Sequence, residues 1–316
     1  MIKEKVIDVK FCIFWIAVIL FFVVVLFFCL LEVSTQKVVN PSSLLNEEVM
    51  PWGVKRINAP VLWEEGITGE NVKVAVLDTG VDFNHPDLKK VLQKGYNTIN
   101  PAALPVDDNG HGTLTTGIIA AQHNQVGIMG VAPGVQLYPV KVLDEFGEGE
   151  ILNVIQGIDW CIENKIDVIN ISFSIMKNDK KLENAIQKAI NSGIIIVASG
   201  SNSHGGEVGY PAAYEDVVSV TSVNNRLSVG KSSPKGKIDF SSPGVDVVST
   251  ALNGEYEVTT GTSFSAPYVT GIICLLLQEN TDLDRKKIKI VLKEYAIDLG
   301  PFGKDSIYGE GIVVLK

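Results

Sequence analysis

The stretch VKVAVLDTG, residues 72–80, joins an almost continuously apolar run to a polar turn. Short runs rich in Val and Ile, without polar alternation, are typical of strands buried on both faces of a sheet. The stretch therefore predicts a strand over 72–77 that delivers Asp78 to the carboxyl end of the sheet. Four further runs have the same character: 137–143, 167–171, 194–197 and 217–223.

Helical patterns separate these runs and determine the fold class. They cover residues 111–121, 151–164, 181–192 and 263–278. Because strands alternate with helices, we predict an α/β fold in which a mostly parallel, twisted sheet carries helices on both faces. In such sheets the binding crevice lies beyond the carboxyl ends of the strands. We therefore expect the functional site where the strand over 72–77 ends.

Composition and charge limit the classes of function. The chain has 316 residues, a formal net charge of −9 and 46% hydrophobic residues. This is enough apolar material for one sizeable core. Because contacts with phosphate require Lys and Arg, the acidic balance argues against a nucleic-acid partner. The oligomeric state is left open.

The N-terminal region contains an uncharged apolar stretch over residues 11–31, preceded by Lys3, Lys5 and Lys10. With a helical rise of about 1.5 Å per residue, this stretch can span a hydrocarbon core of roughly 30 Å. The preceding lysines place the N-terminus inside. We predict a single-pass signal-anchor helix in the lipid bilayer of the cell membrane. The alternative is a cleaved signal peptide and a secreted protein, although such peptides have shorter apolar cores of about 7–15 residues.

These features predict four segments along the chain. Residues 1–10 form a cytoplasmic N-terminus, 11–31 a transmembrane helix, 32–47 a polar linker and 48–316 one extracytoplasmic folded domain.

Three short motifs lie at predicted element boundaries. Asp78 begins Asp-Thr-Gly directly after the first strand, and His111 begins His-Gly-Thr at the start of a helix. Ser263 lies within Gly-Thr-Ser-Phe-Ser-Ala-Pro at a junction between a loop and a helix. A hydroxyl becomes a strong nucleophile when an imidazole removes its proton, and a buried carboxylate orients that imidazole. The side chain of Asn202 and the Ser263 N–H can stabilise an oxyanion. Together these groups suffice for acyl transfer.

The order Asp, His, Ser and the three motifs resemble the subtilisin-like serine peptidases. Further matching stretches lie at 85–88, 130–133 and 209–211, and residues 50–54 are most similar to the intracellular branch of that family. The resemblance implies a serine endopeptidase (EC 3.4.21 type) with Asp78 as orienting acid, His111 as general base and Ser263 as nucleophile. It also implies that Asn202 supplies the oxyanion-hole amide.

The resemblance further implies a binding site for a polypeptide substrate. The substrate would pair with residues 172–174 as an added strand. The residues implied for the substrate-binding site are Ser172, Phe173, Ser174, Ile175, Ser199, Gly200, Ser201 and Gly209. Ser174 and Ile175 stand where the family usually has two glycines. We therefore expect narrow processing rather than bulk digestion. The alternative is a membrane-tethered pseudopeptidase that binds peptides in the same groove without cleaving them.

A structural Ca²⁺ site is implied as well, whereas catalysis needs no cofactor. Asp87 matches the carboxylate ligand of the family, and Asn124 matches its amide ligand. Loop carbonyls and the N-terminal arm would complete a set of hard oxygen ligands. The residues implied for this completion are Gln122, Val126, Ile128 and Glu48.

Several polar residues near these motifs are predicted to have no role in the site. Asp107 and Asp108 read as a solvated turn before His111. His85, His123 and His204 read as turn or surface residues.

Overall fold

The computed structural model of the protein describes residues 38–39 and 48–316. The predicted segments 1–10 and 11–31, and the linker apart from 38–39, lie outside the described residues. Within the described part of the chain, no helix has both the length and the apolar composition needed to cross a membrane.

Two sheets organise residues 38–39 and 48–316. Nine of the described strands form one sheet in the order β11-β12-β8-β7-β6-β5-β2-β4-β3, and three form a smaller antiparallel sheet in the order β1-β10-β9. The strands are β1 (Val38–Val39), β2 (Lys73–Asp78), β3 (Tyr96–Asn97), β4 (Gln136–Lys141), β5 (Val168–Ile171), β6 (Ile195–Ser199), β7 (Val218–Val223), β8 (Phe240–Pro243), β9 (Val247–Thr250), β10 (Tyr256–Thr259), β11 (Ala296–Ile297) and β12 (Ile312–Val313).

Strand β2 is the point at which the topology of the large sheet reverses. It pairs in parallel with β4 on one side and with β5 on the other. Strands β6, β7, β8 and β12 continue the parallel pairing beyond β5, and within the nine described strands of the large sheet only the β11–β12 pair at the edge is antiparallel. A crevice forms at the carboxyl ends of strands that flank such a switch point. Asp78, the last residue of β2, lies there.

Helices cover both faces of the large sheet because alternate strand residues point to opposite sides. Val74 and Val76 of β2 pack with α3 and α6, whereas Ala75 and Leu77 pack with α4 and α5. Helix α6 is buried along nearly its whole length, as expected of a core helix. The helices within residues 48–316 are α1 (Trp52–Arg56), α2 (Pro60–Trp63), α3 (His111–Ala120), α4 (Ile151–Glu163), α5 (Lys180–Asn191), α6 (Ala266–Glu279) and α7 (Ile288–Glu294).

The predicted α/β class and the mostly parallel sheet are confirmed. The five apolar runs became β2, β4, β5, β6 and β7, and the four helical patterns became α3, α4, α5 and α6. One boundary was wrong, because α6 begins at Ala266 rather than at 263. Residues Thr262–Phe264 instead form a 3₁₀ turn, which connects the loop to the helix.

Candidate active site

Asp78 is buried at the end of β2, with both carboxylate oxygens engaged. Its Oδ1 accepts hydrogen bonds from the Thr79 N–H at 2.8 Å and from His111 Nδ1 at 2.7 Å. Its Oδ2 accepts a bond from Thr115 Oγ1 at 3.3 Å. Because an ionised carboxylate only accepts hydrogen bonds, Nδ1 carries the proton and Nε2 of His111 is left as the basic nitrogen.

His111 is the first residue of α3, and the helix approaches β2 closely at this point. A Cβ at Gly112 would lie 2.1 Å from the carbonyl oxygen of Gly80, so only glycine permits this approach. Burial lowers the pKa of His111, but the charge and hydrogen bond of Asp78, with the charge of Asp107, outweigh burial and raise the pKa overall. The Phe264 ring lies against the imidazole, with 5.4 Å between the ring centroids.

Asp107 is buried, which corrects the prediction of a solvated turn. Its Oδ1 accepts bonds from the hydroxyl of Thr79 and from the N–H groups of Asn109 and Gly110. Its Oδ2 accepts bonds from the N–H and hydroxyl of Thr113 at 2.8 and 2.6 Å. Burial raises the pKa of Asp107, but these hydrogen bonds lower it overall. The carboxylate therefore joins the turn after β2 to the first turn of α3.

Lys141 also supports the turn after β2. It is the parallel register partner of Asp78, and its buried Nζ donates to the carbonyl of Thr79 at 2.6 Å. The same Nζ forms an ion pair of 2.6 Å with Asp108, whose side chain is half exposed. Of the two aspartates predicted in a solvated turn, only Asp108 keeps that environment.

Ser263 lies in the 3₁₀ turn before α6, and a chain of side-chain hydrogen bonds holds its backbone. Thr270 of α6 donates to Asn170 Oδ1 at 2.9 Å, and Asn170 Nδ2 donates to Ser172 Oγ at 2.9 Å. Ser172 Oγ in turn donates to the carbonyl of Ser263 at 2.8 Å. Sequence reasoning missed Asn170 and Thr270. The available signal was an amide inside the otherwise apolar run of β5, because a buried amide needs partners.

Asn202 lies in the loop after β6, and Thr262 holds its side-chain amide oxygen. Its Oδ1 accepts hydrogen bonds from the N–H of Thr262 at 3.1 Å and from its hydroxyl at 3.2 Å. This arrangement assigns the amide oxygen to Thr262, and Nδ2 is then the group of Asn202 that can donate into the cleft. A fixed donor beside Ser263 is the arrangement that stabilises an oxyanion.

The four predicted catalytic residues come together at one cleft of about 430 Å³, where His111, Asn202 and Ser263 line the surface and Asp78 lies behind His111. Five of the eight predicted substrate-binding residues line the same cleft: Ser172, Phe173, Ser174, Ser199 and Ser201. Sequence reasoning missed further lining residues, including Asn109, Leu143, Phe146 and Gly147.

The other three predicted substrate-binding residues, Ile175, Gly200 and Gly209, are not among the residues that line this cleft. A Cβ at Gly200 would meet Pro234 and Ile238, so this residue faces the core. Ile175 packs against the core, and Gly209 lies beneath Ser174. Their backbones nevertheless support the wall, since Gly209 N–H donates to the carbonyl of Gly200 at 2.9 Å.

Comparison with known proteins now identifies the family. Residues 69–311 match the subtilase family (Peptidase_S8). The chain belongs to the subtilase family. It is 36% identical over 282 residues to the minor extracellular protease Epr of Bacillus subtilis (strain 168), a match that covers 89% of this chain and 43% of that protein. It therefore spans less than half the length of Epr.

Two shorter relatives of this subtilase match along more of their length. Identity is 37% over 270 residues with subtilisin E of Bacillus subtilis (strain 168), covering 84% of this chain and 70% of that protein. It is 38% over 267 residues with subtilisin Savinase of Lederbergia lenta, covering 84% and 96%. These matches identify a subtilisin-like serine endopeptidase domain. They do not support the predicted closeness to the intracellular branch, since one relative is named an extracellular protease.

The loop implied to bind Ca²⁺ in this subtilase surrounds Asp87. Asp87 Oδ2 accepts bonds from Tyr256 Oη at 2.8 Å and from the Ile128 N–H at 3.0 Å. Asn124 Nδ2 donates to Asp87 Oδ1 at 3.1 Å, so the amide nitrogen rather than the oxygen faces the carboxylate. An ion between these two side chains would require the Asn124 amide to turn.

The remaining donors of this loop fit a hard cation. Within residues 48–316, the carbonyls of Gln122, Val126 and Ile128 accept no backbone hydrogen bond, and the buried Gln122 Oε1 has no partner. In the same part of the chain no cluster of three His, Cys, Asp or Glu side chains could hold a metal, so an ion would depend on carbonyl oxygens. Glu48 binds the outside of the loop, because Oε1 accepts from the Asn124 N–H and Oε2 pairs with His123 at 2.9 Å.

His85 is buried, which corrects its prediction as a turn or surface residue. Its Nδ1 accepts a bond from the Asp87 N–H, and its Nε2 lies 3.0 Å from the carbonyl of Glu255. Burial lowers the pKa of His85 despite the charge of Asp87. The residue therefore positions Asp87. His123 and His204 are exposed, as predicted.

Proposed function

We propose that this subtilase hydrolyses peptide bonds of polypeptide substrates through an acyl-enzyme on Ser263. The observation that supports the proposal most strongly is the 2.7 Å hydrogen bond between His111 Nδ1 and the buried Asp78. Ser263 and Asn202 line the same cleft as His111. An oriented imidazole beside a serine hydroxyl and an amide donor is sufficient for acyl transfer.

In the first half of the proposed reaction, one proton moves from Ser263 to His111 and then from His111 to the leaving amine. His111 Nε2 takes the proton of Ser263 Oγ while Oγ bonds to the substrate carbonyl carbon, and Asp78 stabilises the resulting imidazolium. The oxyanion accepts hydrogen bonds from Asn202 Nδ2 and the Ser263 N–H. His111 then gives the proton to the leaving amine as the C–N bond breaks. Water repeats the sequence on the acyl-enzyme and releases the carboxylate product.

Labelling with a fluorophosphonate tests the role of Ser263. We expect wild type to be labelled and to cleave peptides, and Ser263→Ala to do neither while remaining folded. Ser203→Ala is the matched control, because Ser203 follows Asn202 directly and is not part of the cleft lining. Labelling that persists in Ser263→Ala would remove this residue from the mechanism. The alternative, a membrane-tethered pseudopeptidase, predicts peptide binding without labelling or turnover in wild type.

We also propose that Asp87, the Asn124 amide oxygen and the carbonyls of Gln122, Val126 and Ile128 hold a structural Ca²⁺. A bound ion would supply positive charge to this oxygen-rich loop and stabilise its conformation. Glu48 would close the loop from outside. We expect a Ca²⁺ chelator to lower the melting temperature of wild type and to leave the melting temperature of Asp87→Asn unchanged. A wild-type melting temperature that is independent of Ca²⁺ would argue against the site.

For localisation, we propose that residues 11–31 anchor the protein in the cell membrane with the N-terminus inside. The support is the length of this apolar stretch and the lysines before it. The alternative is secretion after signal cleavage. The intact mass of the protein isolated from cells distinguishes the two: the anchor predicts that residues 1–31 are retained, and a mature N-terminus after residue 31 would contradict it.

A further inference from the structure

The cleft beside Ser263 contains a recess whose position indicates which substrate group enters it. We call the substrate residue whose carbonyl carbon Ser263 attacks the acyl residue. Its carbonyl oxygen must lie between Asn202 Nδ2 and the Ser263 N–H, and its side chain starts one bond from that carbonyl. The side chain therefore meets the wall next to Asn202. Ser174, Ser199 and Ser201 line the cleft together with Asn202, and we call these three residues the serine pocket.

Backbone hydrogen bonds fix the width of the serine pocket. Ile175 and Tyr210 exchange two bonds of 2.9 and 2.8 Å, which join the segment after β5, where Ser174 lies, to the segment at 209–210. The Gly209 N–H donates to the carbonyl of Gly200, so the segment at 209–210 is also joined to the end of β6, between Ser199 and Ser201. The parallel pairing of β5 with β6, which ends at Ile171 and Ala198, closes the frame of three segments, and the frame cannot widen without breaking backbone hydrogen bonds.

The side chains of Ser174 and Ser201 occupy space within this frame. A Cβ added at Gly209 would lie 2.7 Å from Ser174 Cβ, so the Ser174 side chain rests directly on the Gly209 backbone. Ser201 projects from a backbone with φ of +118°, a conformation that favours glycine. Its Oγ donates to the carbonyl of Glu207 at 3.1 Å, which holds the side chain in place. Each serine takes volume that a glycine would leave to the substrate.

The three side chains of the serine pocket are polar and uncharged. None of the described residues that line the cleft is Asp, Glu, Lys or Arg. Among the hydrogen bonds of residues 48–316, the hydroxyls of Ser174 and Ser199 have no protein partner; Ser174 is partly exposed to the cleft, whereas Ser199 is 1% exposed. A charged side chain would lose its hydration here without gaining an opposite charge.

We infer that the serine pocket selects an acyl residue with a short, uncharged side chain, namely Ala, Ser or Thr, and excludes Phe, Tyr and Leu. This inference rests on the proposed function and specifies its substrate class. The closed frame and the two filling serines exclude large side chains, and the free hydroxyl of Ser174 accommodates a small polar one.

Cleavage profiling on a peptide library, with fluorophosphonate labelling in parallel, tests the inference. We expect labelling at Ser263 and cleavage after Ala, Ser and Thr, with kcat/KM for Ala about tenfold or more above that for Phe in matched peptides. Labelled enzyme that cuts mainly after Phe, Leu or Tyr would overturn the inference and leave the proposed function intact. Absence of both labelling and cleavage would overturn the proposed function and the inference with it.

Widening the pocket supplies an independent test. In Ser174→Gly/Ser201→Gly, we expect the ratio of kcat/KM for Phe over Ala to rise about tenfold or more, because both filling side chains are removed. Ser203→Gly is the matched control: Ser203 Oγ donates to the same Glu207 carbonyl at 3.0 Å but lies outside the cleft lining. The inference would be contradicted by an unchanged Phe-to-Ala ratio of kcat/KM in a double variant that is folded and labelled. An equal rise of that ratio in the control would contradict it as well.

Discussion

At the scale of single residues, the Asn202 amide is held in the orientation that stabilises negative charge on the carbonyl oxygen of the substrate. The amide oxygen is fixed by two contacts from Thr262, so the amide does not have to reorient as the reaction proceeds. Such a donor acts mainly on the transition state, where the negative charge on the carbonyl oxygen is largest. The role of Asn202 can therefore be separated from simple substrate binding.

We predict that Asn202→Ala lowers kcat by about 10²–10³ and changes KM little. Steady-state kinetics on a peptide substrate measure both constants. Thr262→Val, which loses only the hydroxyl contact to Asn202, should have a much smaller effect on kcat. A rise in KM with unchanged kcat in Asn202→Ala would assign the residue to binding instead.

At the scale of elements, the first turn of α3 depends on Asp107. This carboxylate accepts bonds from the N–H groups of Asn109, Gly110 and Thr113, which fixes the chain on both sides of His111. A carboxylate at a helix N-terminus also interacts favourably with the helix dipole. The bond from Thr79 extends this support to the turn after β2. Asp78 and His111 are therefore aligned by one neighbouring side chain.

We predict that Asp107→Asn lowers the free energy of unfolding by about 2 kcal/mol at neutral pH. Because the folded pKa of Asp107 lies below its usual value of 3.8, its contribution is present above that pH and is lost as pH falls through the folded pKa. The difference from wild type in urea unfolding should therefore shrink below about pH 4. Asp282→Asn, at an exposed carboxylate outside this turn, is the control; equal losses in both variants would contradict this account.

At the scale of the whole molecule, Asp239 joins the C-terminal segment to the sheet. It precedes β8 and forms ion pairs with Lys237 at 2.8 Å, Lys289 of α7 at 3.0 Å and Lys304 at 3.3 Å. Burial lowers the pKa of Lys237 to about 8, while the lysines outweigh burial at Asp239 and lower its pKa to about 2. One buried carboxylate thus forms ion pairs with three lysines.

We predict that Asp239→Asn destabilises the protein by about 3–5 kcal/mol at pH 7, because the charge of the buried Lys237 would lose its carboxylate partner. Urea unfolding measures this loss. The loss should be smaller above pH 8, where Lys237 is neutral in the folded protein. Asp216→Asn, at an exposed carboxylate nearby in the chain, serves as control. An unchanged unfolding midpoint in Asp239→Asn would show that the cluster does not hold this segment.

The strongest sequence predictions concern long apolar strands and the residues at their ends. The run before Asp78 is short, rich in Val and followed by a turn that contains Gly80, which together favour a strand buried on both faces. Strands β8 and β12 lack that signal, since one is Ser-rich and the other has two residues. Asp107 and His85 lie in turn-like sequence, and their burial results from contacts across the fold. Asn170 was detectable as a polar residue in a buried strand, but its partners were not.

The central claim is that Asp78 acts through His111 on Ser263, and the pH dependence of fluorophosphonate labelling tests it most directly. Because the Asp78 carboxylate raises the pKa of His111, the wild-type labelling rate should rise with a single midpoint above the usual imidazole value of 6.5. In Asp78→Asn the midpoint should move to lower pH and the maximal rate should fall, since the charge and the fixed tautomer are both lost. The same midpoint and the same maximal rate in both proteins would contradict the account.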